Sequence, residues 1–310
     1  MPRSPNTSDW LMLAALTLLW GTSFMFTALA LNAFSPLELV AARLVIAAAV
    51  LSVYLKVVGE RLPRTLSGWI PIAIMSVLGT VLPFNLLAFA QLSLESAVTG
   101  ILTAIVPLFV LTLAHFLVPG ARLTVGKLGG FVLGFTGVAL VIGPDAIGGV
   151  GSRDAVVAML AVLVAAVSYS VNTIYARLKG LDKPAVLSAG MLLLASGMMS
   201  PALVPEQGLP ALPPPVALAS LAVLGLLSTG LATVVYFRLI QGPGPTFLSL
   251  INYLVPACAV LTGAVVLGET LSAWTIAGLC LILAGVAISE VGLGGLFSLA
   301  GRAVKKAAAA

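Results

Sequence analysis

The stretch AIVPLFVLTLAHFLVPGARLT at residues 104–124 has a counterpart, YLVPACAVLTGAVVLGETLS, at residues 253–272. An offset of 148 or 149 residues also relates other pairs along the chain: Pro36 and Pro184, Trp20-Gly21 and Ser168-Tyr169, Pro107 and Pro256, and Gly137 and Gly285. Self-similarity at a fixed offset indicates an internal duplication. Each copy carries about five apolar segments, and an odd number of membrane crossings would place the second copy in the opposite orientation to the first.

The composition is that of a membrane protein. The chain is 60% hydrophobic and only 8% charged, whereas soluble domains carry roughly 25% charged residues. Because lipid cannot satisfy the backbone, each apolar segment of roughly 20 residues is predicted to be a transmembrane helix. The sequence therefore predicts an all-α integral membrane protein with ten helices, at about residues 10–30, 36–57, 68–91, 95–118, 124–143, 154–176, 184–204, 216–239, 245–268 and 272–292.

The basic residues predict the orientation of the chain. With a cytoplasmic N-terminus, 13 of the 15 Lys and Arg residues fall on the cytoplasmic side. The two others are Arg153, which falls outside, and Arg43, which lies within a segment. We therefore expect two inverted five-helix repeats, at residues 1–148 and 149–295, and a cytoplasmic tail at 296–310. Inverted repeats are a recurring plan of secondary transporters, with the substrate site between the repeats.

Several motifs resemble one family. They are WGTSF at 20–24, the mid-segment prolines Pro107 and Pro256, LGETLS at 267–272, and the glycine-rich stretches at 126–140 and 277–289. Together they resemble the drug/metabolite transporter superfamily, in its ten-helix form with two EamA-type repeats. The resemblance implies export of small metabolites across the plasma (inner) membrane, with amino-acid exporters, aromatic ones included, as the best-fitting members. The first copy has VPGARL at 118–123 where the second has LGE, so Glu269 is interpreted as an outside-loop residue.

Two prolines lie about halfway along their segments, Pro107 in the fourth and Pro256 in the ninth. Proline has no N–H to donate to the carbonyl four residues back, which releases the carbonyls of Thr103 and Asn252. One interpretation is a pair of hinges along the substrate path. The alternative is that a nearby side chain merely satisfies the kinked backbone.

Polar stripes extend from both prolines. Ser96, Thr99 and Thr103 share one face of the fourth helix by their spacing. Ser249, Asn252 and Tyr253 share a face of the ninth helix. The prediction is that these stripes line a substrate cavity, and the alternative is that the hydroxyls only hold helices together.

Other polar and aromatic side chains lie at mid-depth. Trp20 is about 15 Å into its helix at 1.5 Å per residue, where it could stack on a substrate ring or pack in the core. Asn85 in the third helix, and Asn172 beside Tyr169 in the sixth, lie well inside apolar runs. An unpaired amide is costly in an apolar setting, so each asparagine faces either a partner helix or a wet cavity.

Arg43 is the only charge well inside a segment, about 10 Å below the outer surface at 1.5 Å per residue. An intramembrane ionisable residue is a functional candidate, and Arg43 could bind a substrate carboxylate. The alternatives are snorkelling to the interface or a structural pair. The nearby Glu38 is assigned to a capping box, because Ser35-Pro36-Leu37-Glu38 has the required spacing.

A transporter fits these features better than a channel or an enzyme. Channels need rings of charge or carbonyls, and a catalytic site needs clustered His, Asp or Glu side chains, whereas this chain has one histidine. Neutral polar groups, aromatics and one arginine suit amino acids, with nucleobases, sugars or drugs as alternatives. We expect alternating access about Pro107 and Pro256, membrane lipid and a small molecule as partners, and no cofactor, metal or nucleic acid. The Gly126, Gly130 and Gly134 series favours packing within a monomer, with a dimer as the alternative.

Overall fold

A computed structural model describes residues 4–119, 124–142, 153–179, 183–204 and 212–289. These residues form helices and connecting turns, and no strand occurs among them. The predicted tail at 296–310 and the linker between the repeats lie outside the described residues. The helices are α1 Thr7–Ala30, α2 Pro36–Val57, α3 Leu66–Ala90, α4 Ser96–Leu117, α5 Val125–Ile142, α6 Arg153–Leu178, α7 Pro184–Leu203, α8 Pro215–Gln241, α9 Ile251–Leu267 and α10 Ala273–Ser289.

Seven of these helices are long and apolar enough to cross a membrane: α1, α2, α3, α4, α6, α7 and α8. The helices α5, α9 and α10 are apolar but shorter within the described residues. This confirms the prediction of an all-helical integral membrane protein. A side chain in contact with lipid needs no polar cover, which explains the large exposed hydrophobics such as Leu11 and Val53.

Helix α2 begins as its sequence predicts. The Glu38 backbone N–H donates to Ser35 Oγ at 3.3 Å, and the Ser35 N–H donates to Glu38 Oε2 at 2.8 Å. Pro36 occupies the first turn, where a missing N–H costs nothing. The predicted capping box is confirmed, and it commits the Glu38 carboxylate to its own helix.

Three helices contain π-helical turns that the hydrophobic pattern does not reveal. They lie at Val77–Val81 in α3, Val223–Leu231 in α8 and Gly263–Leu267 in α9. Each adds a residue to the local turn and redirects the side chains beyond it, and such turns often occur at functional sites.

The two mid-segment prolines have different surroundings. The first part of α4 ends at Thr103 and the second begins at Val106, so Pro107 stands just past a real interruption. Pro256 lies inside the continuous helix Ile251–Thr262. The irregular backbone near it comes earlier, after the short helix Pro245–Leu248. The prolines match in sequence, but only one of them adjoins a helix break.

The two halves of the chain interlock. Helix α7 packs along α2, α6 packs along α3 and α4, and α9 packs along α1 and the first part of α4. The π-helical turn of α8 lies against α2, and the start of α8 lies against the end of α1. The core is thus built from helix pairs that each take one member from either half.

Glycines bring α5 and α10 into backbone contact. A Cβ added to Gly137 would lie 2.6 Å from the Gly278 carbonyl oxygen, and one added to Gly285 would lie 2.5 Å from that of Gly130. The helices therefore run antiparallel. Gly130 is taken up by this contact, and a Cβ at Gly134 would meet the Leu108 side chain. For these two glycines, the predicted packing within the chain is confirmed.

Candidate functional site

The guanidinium of Arg43 is held between side chains from other helices. Its Nε donates to Thr229 Oγ1 at 2.7 Å, and its central carbon lies 4.4 Å from the centroid of the Phe84 ring. The Tyr169 side chain is within electrostatic range. Among the described residues, the Nη atoms of Arg43 have no hydrogen-bond acceptor and no carboxylate partner. Four N–H groups are therefore free to bind an anionic group.

Close packing of α8 on α2 places the hydroxyl of Thr229, the hydrogen-bond acceptor, beside Arg43. Glycines allow this approach, since a Cβ on Gly225 would lie 2.6 Å from Ile46 and one on Gly230 would lie 2.8 Å from Val50. Thr229 lies between the two glycines, in the π-helical turn, and is buried. The turn thus presents a hydroxyl to the arginine at the point where the two backbones come closest.

The other half of the chain has a related but chemically different contact. Met191 follows Arg43 by 148 residues. The π-helical turn of α3 meets it, since a Cβ on Gly79 would lie 3.0 Å from the Met191 side chain. Ser76, just before the turn, donates to the Met191 carbonyl at 2.8 Å. Equivalent positions therefore carry a cation in one half and a thioether in the other.

Helix α6 supplies further polar groups to the π-helical turn of α3. Ser168 donates to the Leu78 carbonyl at 2.7 Å, and the Asn172 amide nitrogen would touch a Cβ at Gly79. The Asn172 Oδ1 atom is buried without a hydrogen bond among the described residues. Of the predicted site residues, Tyr169 and Asn172 therefore lie one helical turn apart on α6: Tyr169 is within electrostatic range of Arg43, and Asn172 is at this π-helical turn.

Asn85 and Trp20 face other partners. The Asn85 amide donates to the Val81 carbonyl at 2.7 Å, where it satisfies the end of the π-helical turn, while its Oδ1 is buried without an acceptor role. The Trp20 ring packs on Tyr236 with centroids 5.5 Å apart, within an apolar cluster of α1, α8 and α9. A substrate-binding role for either residue stays a prediction.

In the polar stripes of α4 and α9, the hydrogen bonds that Thr99, Thr103 and Asn252 donate run between residues three or four positions apart. Thr99 donates to the Glu95 carbonyl at 3.2 Å and Thr103 to the Gly100 carbonyl at 2.7 Å, both within α4. On α9, the Asn252 N–H donates to the Ser249 carbonyl at 3.0 Å, and Tyr253 packs on an apolar cluster. The role of these stripes in lining a substrate cavity also stays a prediction.

Glu269 lies between α9 and α10, as its interpretation as a loop residue predicts, and its carboxylate reaches another helix. Its Oε1 accepts from the Ser96 N–H at 2.7 Å, and its Oε2 accepts from the Ala97 N–H at 3.0 Å. The carboxylate of the second half thus caps the first turn of α4 in the first half. Gly268 makes the turn possible with a φ of 70°. The sequence offered one sign that Glu269 has a specific role: the acid is present in only one of the two copies of the repeat.

Glu95, the residue before α4, lies close to this cap. Partial burial raises the pKa of the Glu95 carboxyl above its ordinary value, and the Glu269 carboxylate raises it further. Two acids at one helix N-terminus repel each other, and of these two carboxylates it is Glu269 that accepts hydrogen bonds from the N–H groups of the first turn.

Sequence reasoning missed Thr229 and Phe84, which contact the Arg43 guanidinium. A threonine within an apolar run is usually helix-packing glue, and a phenylalanine there is ordinary. The only available signal was the presence of two glycines around Thr229.

Comparisons with known proteins agree with this architecture. The sequence model of the EamA-like transporter family matches residues 8–143 and, a second time, residues 156–290. A crystal structure has the same fold, with a TM-score of 0.65 and 21% identity, over 92% of this chain and 98% of that one.

The similar curated proteins are themselves described as uncharacterised transporters. One from Archaeoglobus fulgidus is 23% identical over 90% of this chain and 97% of its own length. YoaV of Bacillus subtilis is 26% identical over 88% and 93%. The inner membrane transporter YedA of Escherichia coli is 25% identical over 84% and 83%. With its apolar helices, the chain is a multi-pass protein of the plasma membrane, and the two matches over most of its length show that it belongs to the EamA-like transporter family.

Proposed function

We propose that this membrane transporter exports small metabolites that carry a carboxylate, amino acids first among them, by alternating access between two inverted repeats of five helices. The observation that carries the substrate class is the Arg43 guanidinium. It is oriented by Thr229 and Phe84, and its Nη groups have no acceptor among the described residues.

The surroundings of Arg43 favour a carboxylate over other ligands. Arginine presents paired N–H groups whose geometry matches the two oxygens of a carboxylate. An arginine held inside the apolar region without an acid beside it attracts a counter-charge strongly, because the effective dielectric is low there. The Tyr169 side chain, within electrostatic range of Arg43, is a neutral polar group that suits the remainder of a small zwitterion.

The packing of α5 on α10 supports inverted repeats. Adding 148 to Gly130 gives Gly278, and adding it to Gly137 gives Gly285. The contacts Gly130–Gly285 and Gly137–Gly278 are therefore exchanged when the repeats are exchanged. An antiparallel pair of equivalent helices with this property is what a two-fold relation between the halves would produce, and such a relation turns one half over in the membrane.

Repeats related in this way support alternating access. If each half can adopt the shape of the other, exchange of the two shapes turns an opening on one side of the membrane into an opening on the other. Helix α4 is already interrupted before Pro107. We propose that the halves rock there and near Pro256.

The test is counterflow in proteoliposomes that contain the purified chain. Labelled phenylalanine, leucine and alanine are compared with phenethylamine, which keeps the aromatic ring and lacks the carboxylate. We expect trans-stimulated uptake of amino acids and none of the amine, because only the acids can pair with Arg43. Repeating the assay with and without a proton gradient distinguishes proton-coupled transport from exchange or facilitated transport.

Single-residue variants test whether Arg43 is responsible for the selectivity for carboxylates. Arg43→Gln is expected to abolish amino-acid counterflow, and Arg43→Lys to weaken it, since lysine keeps the charge and loses the paired donors. Arg64→Gln removes an exposed cation outside the helices and should change nothing. Equal transport of phenylalanine and phenethylamine would refute the carboxylate role. Flux without trans-stimulation would indicate a channel instead.

A further inference from the structure

Helices α4 and α9 are packed closely against each other at the end where α4 begins and α9 finishes. A Cβ on Gly100 would lie 2.6 Å from the Ala259 side chain, and one on Gly263 would lie 3.2 Å from that of Ala97. Residues Ser96, Ala97 and Thr99 are at most 1% exposed at this end.

The opposite end of the same helix pair mixes buried and exposed residues. Residues 109–113 of α4 are partly exposed and Leu250, before α9, is 36% exposed, whereas Leu248 and Ile251 are buried. The contacts of Gly100 and Gly263 therefore mark the Ser96 end as a place where α4 and α9 are closed against each other in this structure.

Glu269 closes the tight end with a hydrogen-bonded clasp. Its two oxygens take two N–H groups of α4, while its own N–H donates to the Gly263 carbonyl at 3.1 Å. A carboxylate at a helix N-terminus gains from the unsatisfied N–H groups and from the helix dipole. Because Glu269 follows α9, the clasp ties the end of α9 to the start of α4.

The clasp depends on a side chain that the first repeat lacks. The position equivalent to Glu269 in the first repeat is Gly120, which has no side chain that could accept a hydrogen bond. The repeats are thus unequal in sequence at the position of the clasp.

We propose that Glu269 is the latch of the outer gate: it holds α4 and α9 together on the extracellular side and must release Ser96 and Ala97 before the chain opens outward. The proposal rests on the proposed function for the alternation of the two openings. The outer side follows from the predicted orientation, in which basic residues lie on the other face.

A latch of this kind shifts the equilibrium between the inward-open and outward-open forms towards the form in which the outer side is closed. Without it, a chain built from two equivalent halves has little reason to favour one opening over the other. Removal of the latch should therefore raise the share of the outward-open form. Glu95 acts in the opposite sense, because its charge repels Glu269, so its neutralisation should tighten the clasp.

The experiment measures distances between spin labels in lipid nanodiscs, without substrate and without transport. Labels are placed by Ser93→Cys and Thr270→Cys, both on exposed residues beside the clasp, after Cys258→Ala and Cys280→Ser remove the free thiols. We expect one short-distance population in the parent protein. With Glu269→Gln, the ratio of long to short distances should rise about tenfold, as loss of about 1.4 kcal/mol implies.

Two further variants keep the test decisive. Gly263→Ala leaves the carboxylate in place but puts a methyl group against its Oε2 atom, so it should open the same end. Glu38→Gln removes an acid that lies on the same predicted side of the membrane and caps only its own helix. This variant should leave the distances unchanged.

The outcomes separate the latch from the transport activity. Unchanged distances in both Glu269→Gln and Gly263→Ala would overturn the latch, whatever the chain transports. A shift in these variants, with none in Glu38→Gln, supports it even if no amino acid is carried.

Discussion

Arg43 Nε and Thr229 Oγ1 lie 2.7 Å apart and come from different halves of the chain. The bond is charge-assisted and inside an apolar region, where such bonds are strongest. It orients the guanidinium and leaves the Nη groups directed elsewhere. Any movement of α8 relative to α2 changes the position of the arginine, which links the proposed binding group to the packing of the two halves.

Thr229→Val should weaken substrate binding. Valine has the same shape but accepts no hydrogen bond, so the guanidinium loses its orientation at a cost of about 1.5–3 kcal/mol. We expect the KM for amino-acid counterflow to rise tenfold or more, with a smaller change in maximal rate. Thr229→Ser, which keeps the acceptor, should restore most of the affinity.

The control is Thr233→Val, one turn further along α8. Thr233 Oγ1 donates to the Thr229 carbonyl and does not contact Arg43. If both valine variants raise the KM equally, the effect comes from α8 as a whole and the orienting role of Thr229 is wrong.

Pro107→Ala should slow transport more than Pro256→Ala. Alanine at 107 supplies an N–H that can bond the Thr103 carbonyl and close the break between the two parts of α4. Pro256 already lies in a continuous helix, so its replacement changes the backbone less. The measurement is the counterflow rate at saturating substrate beside the binding affinity. We expect the rate to fall several-fold for Pro107→Ala while affinity stays nearly constant.

Equal rates in these two proline variants and the parent protein would exclude both residues as hinges. Equal slowing in both would mean that flexibility at Pro256 matters despite its regular helix.

Gly137→Ala should destabilise the protein. Its Cβ would lie 2.6 Å from the Gly278 carbonyl oxygen, a backbone atom that can move only if α10 moves. Overpacking of this kind costs typically about 1–3 kcal/mol. The midpoint of thermal unfolding in detergent should fall by several degrees.

Gly129→Ala is the matched control in the same helix. No heavy atom lies within 4 Å of a Cβ at Gly129, and alanine is favoured over glycine in helices by up to about 1 kcal/mol. This variant should unfold at the same temperature or slightly higher. A loss of stability as large as that of Gly137→Ala would mean that α5 tolerates no added methyl group, and the crossing with α10 would not be special.

Glu269→Gln should lower the pKa of Glu95. Partial burial and the Glu269 carboxylate both raise that pKa, and the substitution removes only the second cause. The pKa should therefore fall but stay above its ordinary value. Because an acid with a raised pKa binds its proton more tightly in this conformation, protonation of Glu95 as the pH falls stabilises the closed end. A carbon-13 NMR titration of labelled glutamate would report both effects, and an unchanged pKa would place the two carboxylates too far apart to interact.

The sequence predicted the helical membrane fold because lipid imposes a simple rule on composition and segment length. The capping box of Ser35 and Glu38 was readable for a similar reason, since it depends only on local spacing. Arg43 stood out as a lone charge in an apolar run, and its isolation from acids is what the structure shows among the described residues.

Features that depend on contacts between distant segments were not readable. The π-helical turns at 77–81 and 223–231 leave no mark in hydrophobic periodicity, so Thr229 gave no sign of facing Arg43. The cap that the Glu269 carboxylate makes on α4 was not predicted, because its partners are backbone N–H groups, which have no sequence signature. Pro107 and Pro256 are equivalent in the sequence repeat, but only Pro107 adjoins a helix break. Whether a helix breaks at a proline depends on the neighbouring residues.

The glycine crossing of α5 and α10 has a consequence for the history of the chain. Since Gly130–Gly285 and Gly137–Gly278 are images of each other, a single ancestral copy of half this length would have carried both sides of the crossing and could have paired with itself in opposite orientation. Every change in such an ancestor would have altered both subunits at once. Fusion of two such copies would let each half mutate alone, and the pairs Arg43–Met191 and Glu269–Gly120 are positions at which the two halves differ.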